Sequence, residues 1–137
     1  PNLEECTPPT RRREAIADQT PEALAACRAR FELLVAEYLQ PARSGERNDL
    51  LVAHGGVIRY LVTRALGVDS EAWLEMSIGN ASLTVIRVEP DGRFKVIAVG
   101  DVGHLPPSLQ TGTTGSAPRT LLVPGVAASA PPARSSR

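Results

Sequence analysis

Residues 50 to 56, Leu50-Leu51-Val52-Ala53-His54-Gly55-Gly56, constrain the fold of this chain more than any other stretch. Four consecutive apolar residues suit a strand covered on both faces, as in the middle of a parallel sheet. The two glycines then open a helix in which Val57, Ile58, Leu61, Val62, Ala65 and Leu66 are apolar and Gly67 is the stop. Strand, tight turn and helix form the α/β unit that presents ligands at the C-terminal end of its strand. His54 stands at that point. Unpaired N–H groups and the helix dipole both attract anions there, and glycines admit a ligand close to the backbone. A histidine adds a donor that can be cationic near neutral pH, so phosphate fits this place. The plainer alternative is a core histidine that only ends a strand.

The flanks organise around this unit. Residues 1–19, with Pro8, Pro9 and Arg11-Arg12-Arg13, show little periodicity and are expected to be a connecting loop. Thr20-Pro21-Glu22 supplies a capping hydroxyl, a proline suited to the first helical position and an early carboxylate. Leu24, Cys27, Phe31, Leu34, Val35 and Tyr38 follow at three- and four-residue steps, which predicts a helix ending near Gln40 before Pro41. A short helical turn is expected around Ser70 to Leu74. Leu83-Thr84-Val85-Ile86-Arg87-Val88 and Phe94-Lys95-Val96-Ile97-Ala98-Val99, separated by Pro90-Asp91-Gly92-Arg93, predict a hairpin. Residues 20–107 thus form the folded portion, and 108–137, rich in Gly, Ser, Thr, Ala and Pro, are expected to be a disordered tail.

Composition narrows the function. An apolar fraction of 42% in 137 residues allows one modest core. Fifteen basic and fifteen acidic side chains cancel, so no overall field recruits nucleic acid or an anionic membrane. Cys6 and Cys27 form neither a CxxC pair nor a metal-binding spacing; this argues against a disulfide framework and a zinc site and for a reducing compartment. No metal or other cofactor is expected. No run of eighteen apolar residues and no signal-peptide order occur, and a polar start at Pro1 without an initiator Met reads as a fragment.

Leu51-Val52-Ala53-His54-Gly55-Gly56-Val57-Ile58-Arg59 resembles the second-histidine motif of the histidine phosphatase superfamily, the phosphoglycerate-mutase-like fold. Gly79-Asn80-Ala81-Ser82-Leu83-Thr84 is similar to the family's lead into its next strand. Pro90-Asp91-Gly92-Arg93 and Gly100-Asp101-Val102-Gly103-His104-Leu105-Pro106-Pro107 resemble its closing hairpin and exit. Val57-Ile58-Arg59-Tyr60, Arg64-Ala65-Leu66 and Trp73 look most like the mitochondrial Ser/Thr protein phosphatase branch. The resemblance runs in order from about residue 2 to 107.

The resemblance implies the C-terminal portion of a three-layer αβα fold with a mostly parallel sheet. It also implies a covalent mechanism, in which a first histidine within Arg-His-Gly attacks phosphorus. Arginines and a second histidine clamp the oxygens, and a carboxylic acid protonates the leaving group. His54 matches the second histidine, with Gly55 and Gly56 lining the phosphate site, and Leu3-Glu4-Glu5 matches the acid segment, with Glu5 the candidate and Glu4 the fallback. No Arg-His-Gly occurs in the sequence, and the other histidine, His104, lies in the exit loop. Arg59 and Arg64 follow His54 on its helix, from which they could reach a substrate, but are read first as salt-bridging or surface groups. Thr63, Ser82 and Thr84 have no paired base.

A phosphohydrolase lacking its nucleophile motif is therefore expected, acting on a phosphorylated protein or small phosphoester. The alternatives are a noncatalytic phosphate-binding or interaction module and, more remotely, a phosphoglycerate mutase. Pairing with another copy of the chain is left open. The compartment is mitochondrial if the branch holds and cytoplasmic otherwise.

Overall fold

The computed structural model describes residues 3–111. Its elements follow from local signals. Helix α1 spans Pro21–Tyr38; Thr20 accepts a hydrogen bond from the Ala23 N–H (3.2 Å) and Pro21 stands in the first turn. Helix α2 spans Gly55–Leu66 and ends at Gly67, whose φ of +65° is open to glycine at little cost. A 3-10 turn covers Ser70–Glu75, with the Asp69 carboxylate accepting from the Glu71 N–H (2.9 Å). Strands β1 (Leu83–Val88) and β2 (Phe94–Asp101) pair antiparallel, with Ile86 opposite Val96 and Val88 opposite Phe94. Their connection closes with the Gly92 N–H on Glu89 O (2.9 Å) and the Glu89 N–H on Arg93 O (2.8 Å).

The core forms where α1 and α2 meet. Cys27, Phe31 and Leu34 of α1 are buried against Val57, Tyr60, Leu61 and Ala65 of α2. The Phe31 and Tyr60 rings meet edge to face with centroids 5.2 Å apart. Ile86, Val88, Phe94 and Val96 cover this core from the hairpin side. The alternation of β2 places Lys95, Ile97 and Val99 on its outer face, and Ile97 and Val99 are exposed.

Three expectations need revision. The run Leu50 to Ala53 is not a strand, and among the described residues none pairs with it. Leu51 and Ala53 pack on the core, whereas Leu50 and Val52 are 85% and 84% exposed. The run keeps a strand's alternation, but the hairpin pairs with itself and leaves the segment's edges and outer face bare. The described sheet is accordingly the two-stranded antiparallel hairpin, within a mixed helix-and-sheet architecture. Cys6 and Cys27 are joined in a disulfide with Cα atoms 5.9 Å apart, so the reading of two unlinked cysteines fails, and with it the inference to a reducing compartment. Their spacing of 21 residues says nothing of the loop folding back along α1. That loop also contains a 3-10 turn, Arg13–Ile16, which buries Ile16. At the other end, Pro107–Leu109 form a further turn, and the expected disorder beyond residue 111 lies outside the described residues.

Candidate active site

The site is built at the N-terminus of α2. His54 is the N-cap residue, extended at φ −82° and ψ 160°, and its side chain does not cap the helix. The first helical bond runs from the Ile58 N–H to His54 O (3.1 Å), so the amides of Gly55, Gly56 and Val57 precede the hydrogen-bond ladder. The packing of Leu51 and Ala53 fixes the approach to His54, while Val57, fully buried, fixes the exit. The imidazole is left on the surface beside the amides.

Glu5 reaches this point from the N-terminal loop. Its Oε2 lies 3.3 Å from His54 Nδ1, and the two side chains are 50% and 60% exposed. Such exposure screens the pair, which contributes less than about 1 kcal/mol to stability. Its significance is geometric: a carboxyl and an imidazole converge where an anion would meet amide donors. Glu5 Oε1 also lies over Gly56 so closely that a Cβ at that position would overlap it. The glycine at 56 is therefore required by the carboxylate's approach, a constraint separate from admitting a ligand.

Glu4 turns the other way. Its carboxylate lies 3.6 Å from Arg30 Nη1, and its backbone oxygen accepts from Arg30 Nη2 (2.8 Å). Glu5, not the fallback Glu4, joins His54. Past the disulfide the loop is tied to the turn after α2: the Trp73 Nε1–H donates to Pro9 O (3.2 Å), and the Thr10 hydroxyl and the Arg11 N–H both donate to Glu71 O (3.1 Å each). Arg11 pairs with Asp69 (2.8 Å) and Arg12 with Glu14 (3.0 Å), so these two arginines serve the loop. Arg64 pairs with Glu32 (3.3 Å). Thr63 donates to Tyr60 O within its own helix (2.7 Å), and Thr84 accepts from the Gly100 N–H (3.0 Å). His104 is exposed in the turn after β2.

Arg59 is the residue whose place the sequence did not reveal. Helical side chains lean toward the N-terminus, so Arg59, three and four residues after Gly56 and Gly55, shares their face. Its guanidinium carbon lies 6.0 Å from the centre of the Trp73 ring. Burial lowers its pKa from the usual arginine value, and the Glu5 carboxylate opposes that shift. Arg59 is thus a partly buried cation within electrostatic reach of Glu5. The i+3 and i+4 relation to the glycines was the available signal.

Taken together, the site offers a helix N-terminus with two glycine amides, an imidazole, a carboxyl against it and a partly buried cation within electrostatic reach of that carboxyl. This set can bind a tetrahedral oxyanion and move a proton to or from one of its oxygens. Among the described residues no group of three or more His, Cys, Asp or Glu side chains is placed to hold a metal ion.

Comparison with known proteins bears on the family of the chain. The chain is 47% identical over 68 residues to the mitochondrial serine/threonine-protein phosphatase Pgam5 of Caenorhabditis elegans, covering 50% of this chain and 24% of that protein. It is 44% identical over 71 residues to the protein of the same name from Drosophila yakuba, covering 52% and 25%. For the Rattus norvegicus protein the values are 37% over 82 residues, covering 58% and 28%. The chain therefore spans about a quarter of the length of the curated relatives it matches. The family description of the histidine phosphatase superfamily (branch 1) matches residues 4–101, a span that includes both Glu5 and His54. With that match over most of its length, the chain belongs to the histidine phosphatase superfamily.

Proposed function

We propose that this chain provides the second-histidine half of a phosphatase active site, which dephosphorylates phosphoserine or phosphothreonine in proteins, or a small phosphomonoester, through a phosphohistidine intermediate. The observation that carries the reading is the meeting of His54 and Glu5 at the N-terminus of α2, 3.3 Å apart. In phosphoryl transfer, charge spreads over three equatorial oxygens and is stabilised by donors already in place. His54 and the amides of Gly55 and Gly56 would supply those donors. Glu5 would protonate the leaving oxygen, its carboxyl directed by His54 and by the open face of Gly56.

The nucleophile comes from elsewhere. Neither His54 nor His104 lies in an Arg-His-Gly sequence, and these 137 residues contain no such motif. We assign the nucleophile and its clamping arginines to polypeptide outside these residues. The same polypeptide would pair with the bare Leu50 to Ala53 segment and cover its outer face, completing a three-layer αβα fold with a mostly parallel sheet. The names of the relatives support a phosphoprotein substrate and a mitochondrial setting.

The test is turnover of p-nitrophenyl phosphate and of a phosphoserine peptide by the full gene product and by the 137 residues alone. The full product should lose about 10²–10³-fold in kcat on His54→Ala, the scale of one lost oxyanion donor. The 137 residues alone should be inactive. Turnover by these residues that His54→Ala abolishes would refute the assignment of the nucleophile elsewhere.

The absence of Arg-His-Gly also favours a second reading, a noncatalytic module that keeps the phosphate pocket to bind phosphorylated partners. A full gene product that binds phosphate at His54 and lacks all turnover would select it.

A further inference from the structure

Glu5 sits on a loop whose anchors are unequal. On its N-terminal side, the loop is held by Leu3 packed on the core and by Arg30 on Glu4, whose carboxylate is 80% exposed. Solvent-exposed pairs of this kind hold weakly. On the C-terminal side Pro8 is fully buried, and the Trp73 N–H donates to Pro9 O. Between them stands one covalent link: Cys6, adjacent to Glu5, is bonded to Cys27. Cys27 is buried in the α1–α2 core, packed among the same residues as Val57 of α2. The disulfide therefore ties the backbone of the candidate acid directly to the rigid body that carries His54.

We propose that Cys6 and Cys27 are positioning residues of the His54 site, their disulfide holding the Glu5 carboxylate on His54 until a dithiol reductant releases it. This rests on reading His54, Gly55 and Gly56 as a phosphate site with Glu5 as its acid. The exchange is balanced. A thiolate of the dithiol attacks Cys6 Sγ, the less buried of the two residues, and the electron pair of the S–S bond leaves with Cys27 Sγ, which takes up a proton. The second thiol of the reagent then attacks the mixed disulfide and frees Cys6 as a thiol. The reductant departs as its own disulfide, having delivered two electrons and two protons.

The consequence is a site with two states. Oxidised, the chain keeps the Glu5 carboxyl 3.3 Å from His54 Nδ1, where its protonated form donates a proton and its ionised form opposes an incoming anion. Reduced, the segment from Leu3 to Thr7, ahead of the buried Pro8, loses its covalent hold, the carboxyl leaves His54, and anion binding strengthens while proton delivery is lost.

The experiment uses the ¹⁵N-labelled chain with and without dithiothreitol, alkylation verifying the two free thiols. The imidazole ¹⁵N resonances of His54 report its carboxylate neighbour, and titration of inorganic phosphate against the Gly55 and Gly56 amides reports anion affinity. On reduction, the His54 spectrum should move to that of oxidised Glu5→Gln, and phosphate should bind about two- to fivefold more tightly, the scale of one exposed charge interaction. In Glu5→Gln, reduction should change neither readout, whereas a disulfide that served only the fold would act equally in both proteins. An unchanged His54 spectrum in the reduced wild type overturns the proposal, as does an equal response in Glu5→Gln or unfolding on reduction. If phosphate binds in neither redox state, the phosphate-site reading fails, and the His54 spectrum still decides whether the disulfide positions Glu5.

Discussion

Substituting alanine at Gly56 should separate the stability of α2 from the geometry of the site. A methyl group there would overlap Glu5 Oε1, but it would meet Glu5 Cδ at 3.6 Å and Cys6 O at 3.7 Å, both ordinary contacts. Only the tip of a flexible side chain has to move. Alanine in place of glycine favours a helix by at most about 1 kcal/mol. Displacing Glu5 removes an exposed pair with His54 that is worth no more than about 1 kcal/mol. The opposing terms leave Gly56→Ala within about 1 kcal/mol of wild type in urea unfolding. The same change at Gly67, where φ is +65°, should destabilise the chain by about 1–2 kcal/mol and serves as the control. In the His54 imidazole ¹⁵N spectrum, Gly56→Ala should nevertheless resemble Glu5→Gln. A stability loss above about 2 kcal/mol, a size that needs a rigid clash or a lost buried interaction, would refute the argument. So would an unchanged His54 spectrum.

Three other outcomes follow from the same structure. Thr20→Ala removes the cap on the Ala23 N–H and should cost about 1 kcal/mol by chemical denaturation. Burial, and then the hydrogen bond to Glu32 (2.5 Å), push the Tyr60 hydroxyl up from 10.0 to about 12. The folded chain thus holds a proton that the unfolded chain releases near pH 10; the stabilisation is intact below pH 10 and is lost as pH rises to about 12. The slope should be no steeper than about 1.4 kcal/mol per pH unit, and it should vanish in Tyr60→Phe. Replacing both Leu50 and Val52 by Thr should leave stability within about 0.5 kcal/mol, as for other exposed sites, and reduce self-association in sedimentation. A loss of several kcal/mol would show that these side chains are covered.

How far the sequence foretold the structure depended on whether a signal was local. The cap at Thr20, the stop at Gly67 and the Pro90-Asp91-Gly92-Arg93 connection are set by neighbours along the chain, and all lie where their chemistry predicts. The placement of Glu5 beside His54 followed from a resemblance, because 48 intervening residues give no spacing rule that would bring the two together. Leu50 to Ala53 misled because an apolar run states what its faces require and not what is available to cover them. Cys6 and Cys27 misled for a related reason: Cys27 suited the apolar stripe of α1, and nothing local to Cys6 indicated that its loop returns to that stripe. Arg59 was legible in part, since helical geometry puts it on the face of Gly55 and Gly56, but its seat over Trp73 depends on the turn at Ser70–Glu75.

The most direct test of the central claim is a titration of the ¹⁵N-labelled chain with inorganic phosphate, run in parallel on His54→Ala. The account predicts saturable shifts centred on the backbone amides of Gly55 and Gly56 and on the His54 imidazole, weakened by added salt and absent from the variant. Shifts spread over the surface arginines, or a titration identical in His54→Ala, would contradict it and remove the phosphate site from the N-terminus of α2.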